Sequence, residues 1–232
     1  MSNQCLAVIT ARGGSKRIPQ KNIKSFLGFP IIKYSIEAAL DAGCFDEVMV
    51  STDDKKIAEV ALSYGAKVPF FRSEATSDDY AITADVIKEV LLEYKKIGKN
   101  FKYCCCIYPT APFISAEKLA EGYRALMSTD ADSVIPVARF SYPIQRALKT
   151  VNGKLEMVWP ENMNLRSQDL MPTYQDCGQF YWIKTDSFFK QNKLFMEHTV
   201  PVEIPEYAVQ DIDTEEDWKI AELKYKILNQ KY

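Results

Sequence analysis

The feature that most constrains the fold of this chain is the alternation of apolar, strand-like runs with segments of helical periodicity. The predicted strands are 5–10, 46–52, 66–71 and 102–108, and the predicted helices are 30–43, 54–65, 81–97 and 115–128. Pro30 is predicted to be the first residue of its helix, and Ser115 to be an N-cap. This alternation predicts an α/β fold with a doubly wound, mostly parallel sheet and helices on both faces.

The pattern changes after Ser133, where a strand-like run leads into a polar, irregular region. The dipeptide Asn152–Gly153 between two alternating runs predicts a β-hairpin. We interpret about 138–172 as a β-rich excursion within a single domain that spans 1–232. A further strand is predicted at 179–184. The last helix is predicted at 214–228, with Thr214 as cap and Asp217 in the capping-box position.

Charge and cysteine usage exclude several classes of protein. The 29 basic and 31 acidic side chains give a net charge of -2, which argues against a general nucleic-acid binder. Six cysteines form no C-x-x-C pair and three are consecutive, which predicts reduced, buried thiols. The sequence shows no apolar run of about 20 residues and no signal peptide, so we expect no membrane span and a cytoplasmic location. The single histidine, His198, nearly excludes a His-dependent triad or a multi-His metal site.

A basic loop follows the first predicted strand, in the stretch AVITARGGSKRIPQKN (7–22). It matches neither a Walker A loop nor the G-x-G-x-x-G fingerprint. Its two glycines let the backbone approach a ligand with its N–H groups, while Arg12, Lys16 and Lys21 supply positive charge. Ligands of doubly wound sheets bind beyond the carboxyl ends of the strands, so the loop predicts a triphosphate site. A solvated basic loop is the alternative interpretation.

Two carboxylates precede the last helix, in the segment QDIDTEEDW (210–218). On an extended segment Asp211 and Asp213 lie on the same side and can share one hard cation such as Mg²⁺. The alternative is a helix N-terminus enriched in acids by the helix dipole, which fits Glu215 and Glu216 better than the two aspartates.

Two other segments carry candidate contacts. YPTAP (108–112) ends the central predicted strand and presents the Thr110 hydroxyl, although a rigid strand exit is an equally good interpretation. Arg166 and Gln168 could hold a carboxylate, and Tyr181 could line a pocket, although aromatic residues in strands are more often core.

The sequence resembles the CMP-sialic acid synthetases, the acylneuraminate cytidylyltransferases that activate nine-carbon sugar acids. The resemblance covers essentially the whole chain and rests on ARGGSKRIPQKN, VSTDD, YPTAP and DIDTEEDW, which occur in the family's order. Within the family, RSQDL and DCGQFYW are most similar to the branch acting on pseudaminic acid. Gln175 replaces the family's His, and Tyr108 replaces the glutamine of Q-P-T-S-P, so acceptor contacts can differ from those of sialate enzymes.

The resemblance implies a Rossmann-like nucleotidyltransferase that joins CTP and a nine-carbon sugar acid, with release of pyrophosphate and with Mg²⁺ (or Mn²⁺) as cofactor. It assigns catalysis to Arg12, Lys16, Lys21 and Asp211, and the metal to Asp211 and Asp213. Nucleotide contacts are assigned to Ala11, Arg12, Gly13, Gly14, Ser15, Lys16, Lys21, Asn22 and Arg72. Acceptor contacts are assigned to Tyr108, Thr110, Arg146, Arg166, Gln168, Gln179 and Tyr181.

The resemblance also implies a homodimer. Arg146 falls where a basic residue of the partner subunit reaches the site in related enzymes, which makes the excursion at about 138–172 a dimerisation element.

Several functions remain as alternatives. The acceptor could be N-acetylneuraminic or legionaminic acid instead of pseudaminic acid. An eight-carbon keto-deoxy acid synthetase shares the chemistry but opens with P-A-R-x-x-S-x-R. A metal-dependent glycosyltransferase would use the D-x-D with a nucleotide sugar and would lack the basic loop motif. A non-catalytic nucleotide-binding module would have no need of Asp211 and Asp213.

Overall fold

The fold is built on strands buried on both faces. The structure is a computed structural model that describes residues 5–78 and 80–229. Its strands are β1 (Cys5–Thr10), β2 (Ser25–Phe26), β3 (Phe29–Pro30), β4 (Glu47–Ser51), β5 (Tyr103–Ile107), β6 (Ser133–Arg139), β7 (Leu148–Val151), β8 (Lys154–Met157), β9 (Tyr174–Asp176), β10 (Phe180–Lys184) and β11 (Thr199–Glu203). Its helices are α1 (Ile32–Asp41), α2 (Lys55–Ser63), α3 (Thr83–Lys96), α4 (Ala116–Ser128), α5 (Thr185–Gln191) and α6 (Glu215–Asn229).

The main sheet has the order β11-β6-β10-β5-β1-β4, with β9 also pairing with β6. β1 lies between β4 and β5 and is parallel to both, and β11 is parallel to β6. β10 is antiparallel to β5 and β6, and β9 is antiparallel to β6. The prediction of a mostly parallel, doubly wound sheet is confirmed. The antiparallel strands follow the excursion, which returns the chain to the sheet without a crossover helix.

Helices cover both faces of the sheet, as the alternation of buried residues along β5 illustrates. Cys105 packs in one apolar cluster with residues of α1, α2 and α4, whereas Cys104 and Cys106 pack in a second cluster with residues of α3 and α5. All six cysteines are free, as predicted. Burial raises the pKa of Cys106 to about 12, so this thiol stays protonated and apolar.

Side chains that accept backbone N–H groups fix the beginnings of three helices. Asp54 caps α2 by accepting from the N–H groups of Lys56 and Ile57, at 2.7 and 3.1 Å. Ser115 caps α4 as predicted. Thr214 and Asp217 form the predicted capping box at the start of α6.

Two expectations about local structure were wrong. Pro30 lies in β3, and α1 begins only at Ile32. The segment 66–71 forms a single bridge between Lys67 and Met49 instead of a strand, because Pro69 has no N–H to donate to a ladder. α5 and β11 were not predicted.

A buried carboxylate ties β4 to its surroundings. Glu47 accepts hydrogen bonds from Lys99 Nζ at 2.6 Å, Tyr94 Oη at 2.5 Å and Lys67 Nζ at 3.1 Å. Burial acts to raise the pKa of Glu47, but the bonds from Lys99, Tyr94 and Lys67 outweigh it and hold that pKa below its usual 4.5.

The predicted hairpin is present between β6 and β9. β7 and β8 pair as an antiparallel ribbon outside the main sheet, and Asn152 and Gly153 both have positive φ, as a type I′ turn requires. Every residue of β7 is exposed.

In the part of the chain that the structure describes, no helix has the length and apolar character needed to cross a bilayer.

Candidate active site

The basic loop between β1 and α1 is held to neighbouring strand ends by backbone contacts. Ala11 is buried and its N–H donates to Ser51 O at 3.0 Å. The Gly13 N–H donates to Asp53 Oδ1 at 2.9 Å. At the far end of the loop, Asn22 is buried and its side-chain amide donates to Arg12 O at 2.8 Å. The loop is therefore closed on itself and fixed at the carboxyl end of β4.

This loop and the end of β5 enclose a cleft of about 420 Å³. The cleft lies at the carboxyl ends of two parallel strands, where doubly wound sheets bind ligands. It brings together seven of the residues predicted from the sequence: Arg12, Ser15, Lys16, Lys21, Asn22, Tyr108 and Thr110. Arg17 also lines it. Four cations around one small cleft suit a polyanion such as a triphosphate.

Two of these cations contact the segment that carries the predicted metal ligands. Lys21 Nζ donates to Ile212 O at 2.5 Å and lies 3.5 Å from Asp213 Oδ1. Arg17 forms an ion pair with the same carboxylate at 2.8 Å. Asp213 therefore lies at the rim of the cleft, next to the basic loop, although about 190 residues separate them in sequence.

Asp211 and Asp213 both point away from the core, because Ile212 between them is fully buried in an apolar cluster with Trp218. Asp211 lines a second cleft, together with Asp176 and Gly178. Among residues 5–78 and 80–229, no three His, Cys, Asp or Glu side chains form a metal site by themselves. Mg²⁺ commonly takes one or two carboxylates and completes its shell with water and phosphate oxygens, so two carboxylates are a suitable donor set for that cation. That Asp211 and Asp213 share one ion stays a prediction.

Arg72 is not among the residues that line the basic cleft. It is buried, and its guanidinium donates to Ser51 O at 2.7 Å and to Ser51 Oγ at 3.1 Å. Burial lowers the pKa of this guanidinium. The contacts place Arg72 at the carboxyl end of β4, under the strand end that also holds Ala11. Its contact with a nucleotide stays a prediction.

The residues predicted near the acceptor fall into two groups. Tyr108 and Tyr181 lie side by side, with ring centroids 5.5 Å apart. Gln179 is buried, accepts the Tyr108 N–H with its backbone carbonyl at 2.9 Å, and donates its side-chain amide to Ala208 O at 2.7 Å. These contacts give Gln179 a structural role at the junction of β5 and β10. Its predicted contact with a substrate stays a prediction.

Arg146, Arg166 and Gln168 form the second group, which is exposed and lies on the excursion. Arg146 donates to Leu165 O, and Arg166 forms an ion pair with Asp169 at 2.7 Å. Gln168 lines a groove between the excursion and β11. The described residues that line the basic cleft include none of the three, so their predicted acceptor contacts are left untested.

Three site residues were missed by sequence reasoning. Arg17 was not assigned a contact, Asp53 was not recognised as the partner of Gly13, and Asp176 was not singled out. Asp176 accepts the Gly178 N–H at 2.8 Å and the Tyr181 hydroxyl at 2.8 Å. Its position two residues before a glycine is a turn signal that could have identified the first contact.

Comparison with known proteins identifies the family of this chain. Residues 6–222 match the family described as cytidylyltransferase. The chain belongs to the cytidylyltransferase family. It is 40% identical over 228 residues to the pseudaminic acid cytidylyltransferase of Campylobacter jejuni, an alignment that covers 98% of this chain and 97% of that protein. The family resemblance read from the loop motif is confirmed.

A second relative and a solved structure of the same fold extend the comparison. The chain is 32% identical to the CMP-N,N'-diacetyllegionaminic acid synthase of Legionella pneumophila, with 97% of each chain covered. Its fold is that of a CMP:2-keto-3-deoxy-manno-octonic acid synthetase solved in complex with CTP. That likeness has a TM-score of 0.70 at 17% identity and covers 98% of this chain and 100% of the other.

Proposed function

We propose that this cytidylyltransferase joins CTP to a nine-carbon sugar acid, with pseudaminic acid as its acceptor, and releases pyrophosphate. The observation that carries the proposal is the cleft in which the four cations of the basic loop face the end of β5. Full-length similarity to a pseudaminic acid cytidylyltransferase supports this choice of acceptor. CMP-N-acetylneuraminate and CMP-legionaminate synthesis are the alternatives. Family membership weighs against a glycosyltransferase or a non-catalytic nucleotide-binding module.

In the proposed reaction the anomeric hydroxyl of the sugar acid attacks the α-phosphorus of CTP in line. Such a transfer depends on positioning and on neutralising charge more than on covalent help. Arg12, Lys16 and Lys21 would stabilise the charge that develops on the departing pyrophosphate. The backbone around Gly13 and Gly14 would let the phosphates approach the loop. No histidine is needed, in keeping with a chain that has one.

Asp211 and Asp213 would hold Mg²⁺ (or Mn²⁺). When bound, such a cation polarises a phosphate oxygen and can lower the pKa of an attacking hydroxyl. Asp213 lies next to Lys21 and Arg17, which puts one of the two carboxylates beside the proposed phosphate cations.

The test is a pyrophosphate-release assay with CTP and Mg²⁺ and, in turn, pseudaminic, legionaminic and N-acetylneuraminic acids. We expect the highest kcat/KM with pseudaminic acid. A higher value with either other acid would transfer the assignment to that alternative. Binding of UTP or ATP as tight as that of CTP in calorimetry would contradict the nucleotide assignment, and the absence of pyrophosphate with all three acids would contradict the activity.

We further propose that the enzyme is a cytoplasmic homodimer formed through the excursion. The hairpin exposes apolar side chains, including Leu148 at 59% and Leu155 at 72%, and an isolated two-stranded ribbon is marginally stable in water. A two-fold pair would cover both hairpins with one self-complementary surface. Arg146 would then reach the partner's site and pair with the acceptor carboxylate.

Light scattering and complementation test this arrangement. Arg146→Ala and Lys21→Ala should each be inactive alone, and mixed subunits should regain activity at one of their two sites. Heterodimers that form without regaining activity would refute the shared site, and a monomer at assay concentration would refute the dimer.

A further inference from the structure

The segment that carries Asp211 and Asp213 is not fixed by the main sheet. Residues 209–214 belong to no strand or helix, and α6 begins only at Glu215. The position of the two carboxylates relative to the basic loop therefore depends on side-chain contacts between the loop and this segment.

A 3₁₀ turn at the end of the basic loop supplies two of these contacts. The turn is Lys21–Ile23, and Lys24 follows it directly. Lys21 Nζ donates to Ile212 O at 2.5 Å, and Lys24 Nζ donates to the two carboxylate oxygens of Glu215 at 2.5 and 2.6 Å. Side chains three positions apart on a 3₁₀ turn lie on the same side. The two lysines therefore hold two points of the neighbouring segment that are also three positions apart.

An apolar cluster lies behind these polar contacts. Ile18 of the basic loop and Ile212 are both buried and belong to one cluster with Trp218 of α6. The Lys24 ammonium lies 4.7 Å from the centroid of the Trp218 ring, which is within the range of a cation–π contact. Lys24 thus contacts two side chains one turn apart on α6, Glu215 and Trp218.

Lys24 is separate from the cations assigned to the nucleotide. It is not among the described residues that line the basic cleft, whereas Arg12, Lys16 and Lys21 are. The accessible fraction of its side chain is 31% and that of Glu215 is 56%, and an ion pair so exposed contributes little to the free energy of unfolding. The pair is therefore better suited to fixing the register of two segments than to stabilising the fold.

We propose that Lys24 is a positioning residue that holds Asp213 beside the phosphate cations. By fixing the start of α6 against the basic loop, it lets the Asp213 carboxylate and Lys21 act on one nucleotide–cation complex. Lys24 itself touches neither the nucleotide nor the metal. This inference rests on the proposed function, since it concerns the CTP and the Mg²⁺ of that reaction.

The test compares the Kd of CTP in excess Mg²⁺ with its Kd in EDTA, both measured by calorimetry without acceptor. The ratio of the two constants reports how strongly cation and nucleotide are coupled in the site. Lys24→Met should lower this ratio about fivefold, which is the lower end of typical couplings between sites. The Kd in EDTA should stay nearly unchanged, because the cations that line the cleft are intact. Lys24→Arg keeps a cation for both Glu215 and Trp218 and should retain the wild-type ratio.

Asp213 shows whether Lys24 acts through the proposed metal carboxylate. Asp213→Asn should lower the ratio by itself, because a neutral amide binds Mg²⁺ more weakly than a carboxylate does. In that background Lys24→Met should lower the ratio no further. In the pyrophosphate-release assay the kcat of Lys24→Met should fall about tenfold, short of the roughly hundredfold that a misplacement of about 1 Å can cost.

Two variants control for general effects of charge. Lys33→Met removes a lysine of α1 with the same kinds of contact, an ion pair within its helix and a phenylalanine ring whose centroid lies 3.6 Å from Nζ. Glu216→Ala removes an acid from the first turn of α6, where Glu215 also lies. Neither variant should change the ratio, whereas Glu215→Ala should lower it as Lys24→Met does.

The outcomes separate the inference from the proposed function. A wild-type ratio near one, an unchanged ratio in Lys24→Met, or a further loss in the Asp213→Asn background would overturn the positioning role. So would a Lys24→Met variant that lowers Tm and weakens CTP binding equally in EDTA and in Mg²⁺. Wild-type enzyme that releases no pyrophosphate with any of the three acids would overturn the proposed function, whereas the calorimetric ratio needs no acceptor and decides the inference separately.

Discussion

Replacing Gly13 by alanine tests how tightly the basic loop is packed against the end of β4. A Cβ at this position would lie 2.9 Å from Asp54 Cβ and 2.9 Å from its Oδ2. The carboxylate oxygen could rotate away, but the Asp54 Cβ is fixed to the backbone, so the main chain must shift. Asp54 is also the N-cap of α2, and displacing it weakens two hydrogen bonds.

The expected cost follows from these two effects. Loss of an N-cap costs about 1 kcal/mol, and overpacking at a fixed contact costs about 1–3 kcal/mol. We expect Gly13→Ala to lower the free energy of unfolding by about 2 kcal/mol, which lowers Tm by about 4–8 °C for a chain of this size. Urea unfolding followed by tryptophan fluorescence, at one protein concentration, measures the change.

Gly14 is the matched comparison because nothing lies within 4 Å of a Cβ built there and its φ is not in the left-handed region. Gly14→Ala should leave stability unchanged or raise it by about 0.5 kcal/mol through the unfolded chain. In an Asp54→Gly background the contacting Cβ is absent. There Gly13→Ala should lower the free energy of unfolding by less than about 0.5 kcal/mol, which is the deviation from additivity seen between independent sites. Equal costs of Gly13→Ala in both backgrounds, or a loss in Gly14→Ala as large as in Gly13→Ala, would refute the steric reasoning.

Three further changes test other parts of the molecule. Glu47→Gln should cost about 1–3 kcal/mol at neutral pH because it weakens charge-assisted bonds. Since the folded pKa of Glu47 lies below 4.5, this deficit should be full above about pH 4.5 and shrink as pH falls through the folded pKa, as urea titrations at several pH values would show. Gly122→Ala should cost about 1–3 kcal/mol because its Cβ would lie 2.7 Å from Trp182 Cδ1, and a variant as stable as wild type in the same titration would contradict that contact. Asp211→Asn and Asp213→Asn should each lose most pyrophosphate release with Tm unchanged; parallel losses of Tm and activity would favour a structural role at the start of α6.

Periodic signals in the sequence were sufficient for most of the framework. The apolar run 102–108 predicted a central strand, and the residues of β5 alternate between two apolar clusters. The capping box of Thr214 and Asp217 was predictable because its two residues are only three positions apart in the sequence. The direction of β10 was not predictable in this way, because it depends on how the excursion returns to the sheet.

The candidate site was predictable where its residues are close in sequence and not where distant segments meet. Gly13 and Gly14 predicted a loop that approaches a ligand. The partner of the Gly13 N–H, however, is Asp53, which lies 40 residues away in sequence. The hydroxyls of Thr83, at the start of α3, and Tyr108, at the end of β5, lie 3.3 Å apart, and no periodicity relates the two residues. Such contacts follow from the order of strands in the sheet, which places separate loops at one edge.

The ion pairs at the rim of the basic cleft bear on how a triphosphate would enter it. Arg17 is largely exposed, with 68% of its side chain accessible, so its pair with Asp213 contributes at most about 1 kcal/mol. A polyanion in the cleft could draw Arg17 away at small cost and would leave Asp213 available to a cation. Lys21 is more buried, with only 21% of its side chain accessible. Its 2.5 Å hydrogen bond to Ile212 O does not depend on the Asp213 carboxylate. The same lysine can therefore keep the 211–213 segment beside the loop while Asp213 changes partner, and that is the arrangement a shared nucleotide and metal site requires.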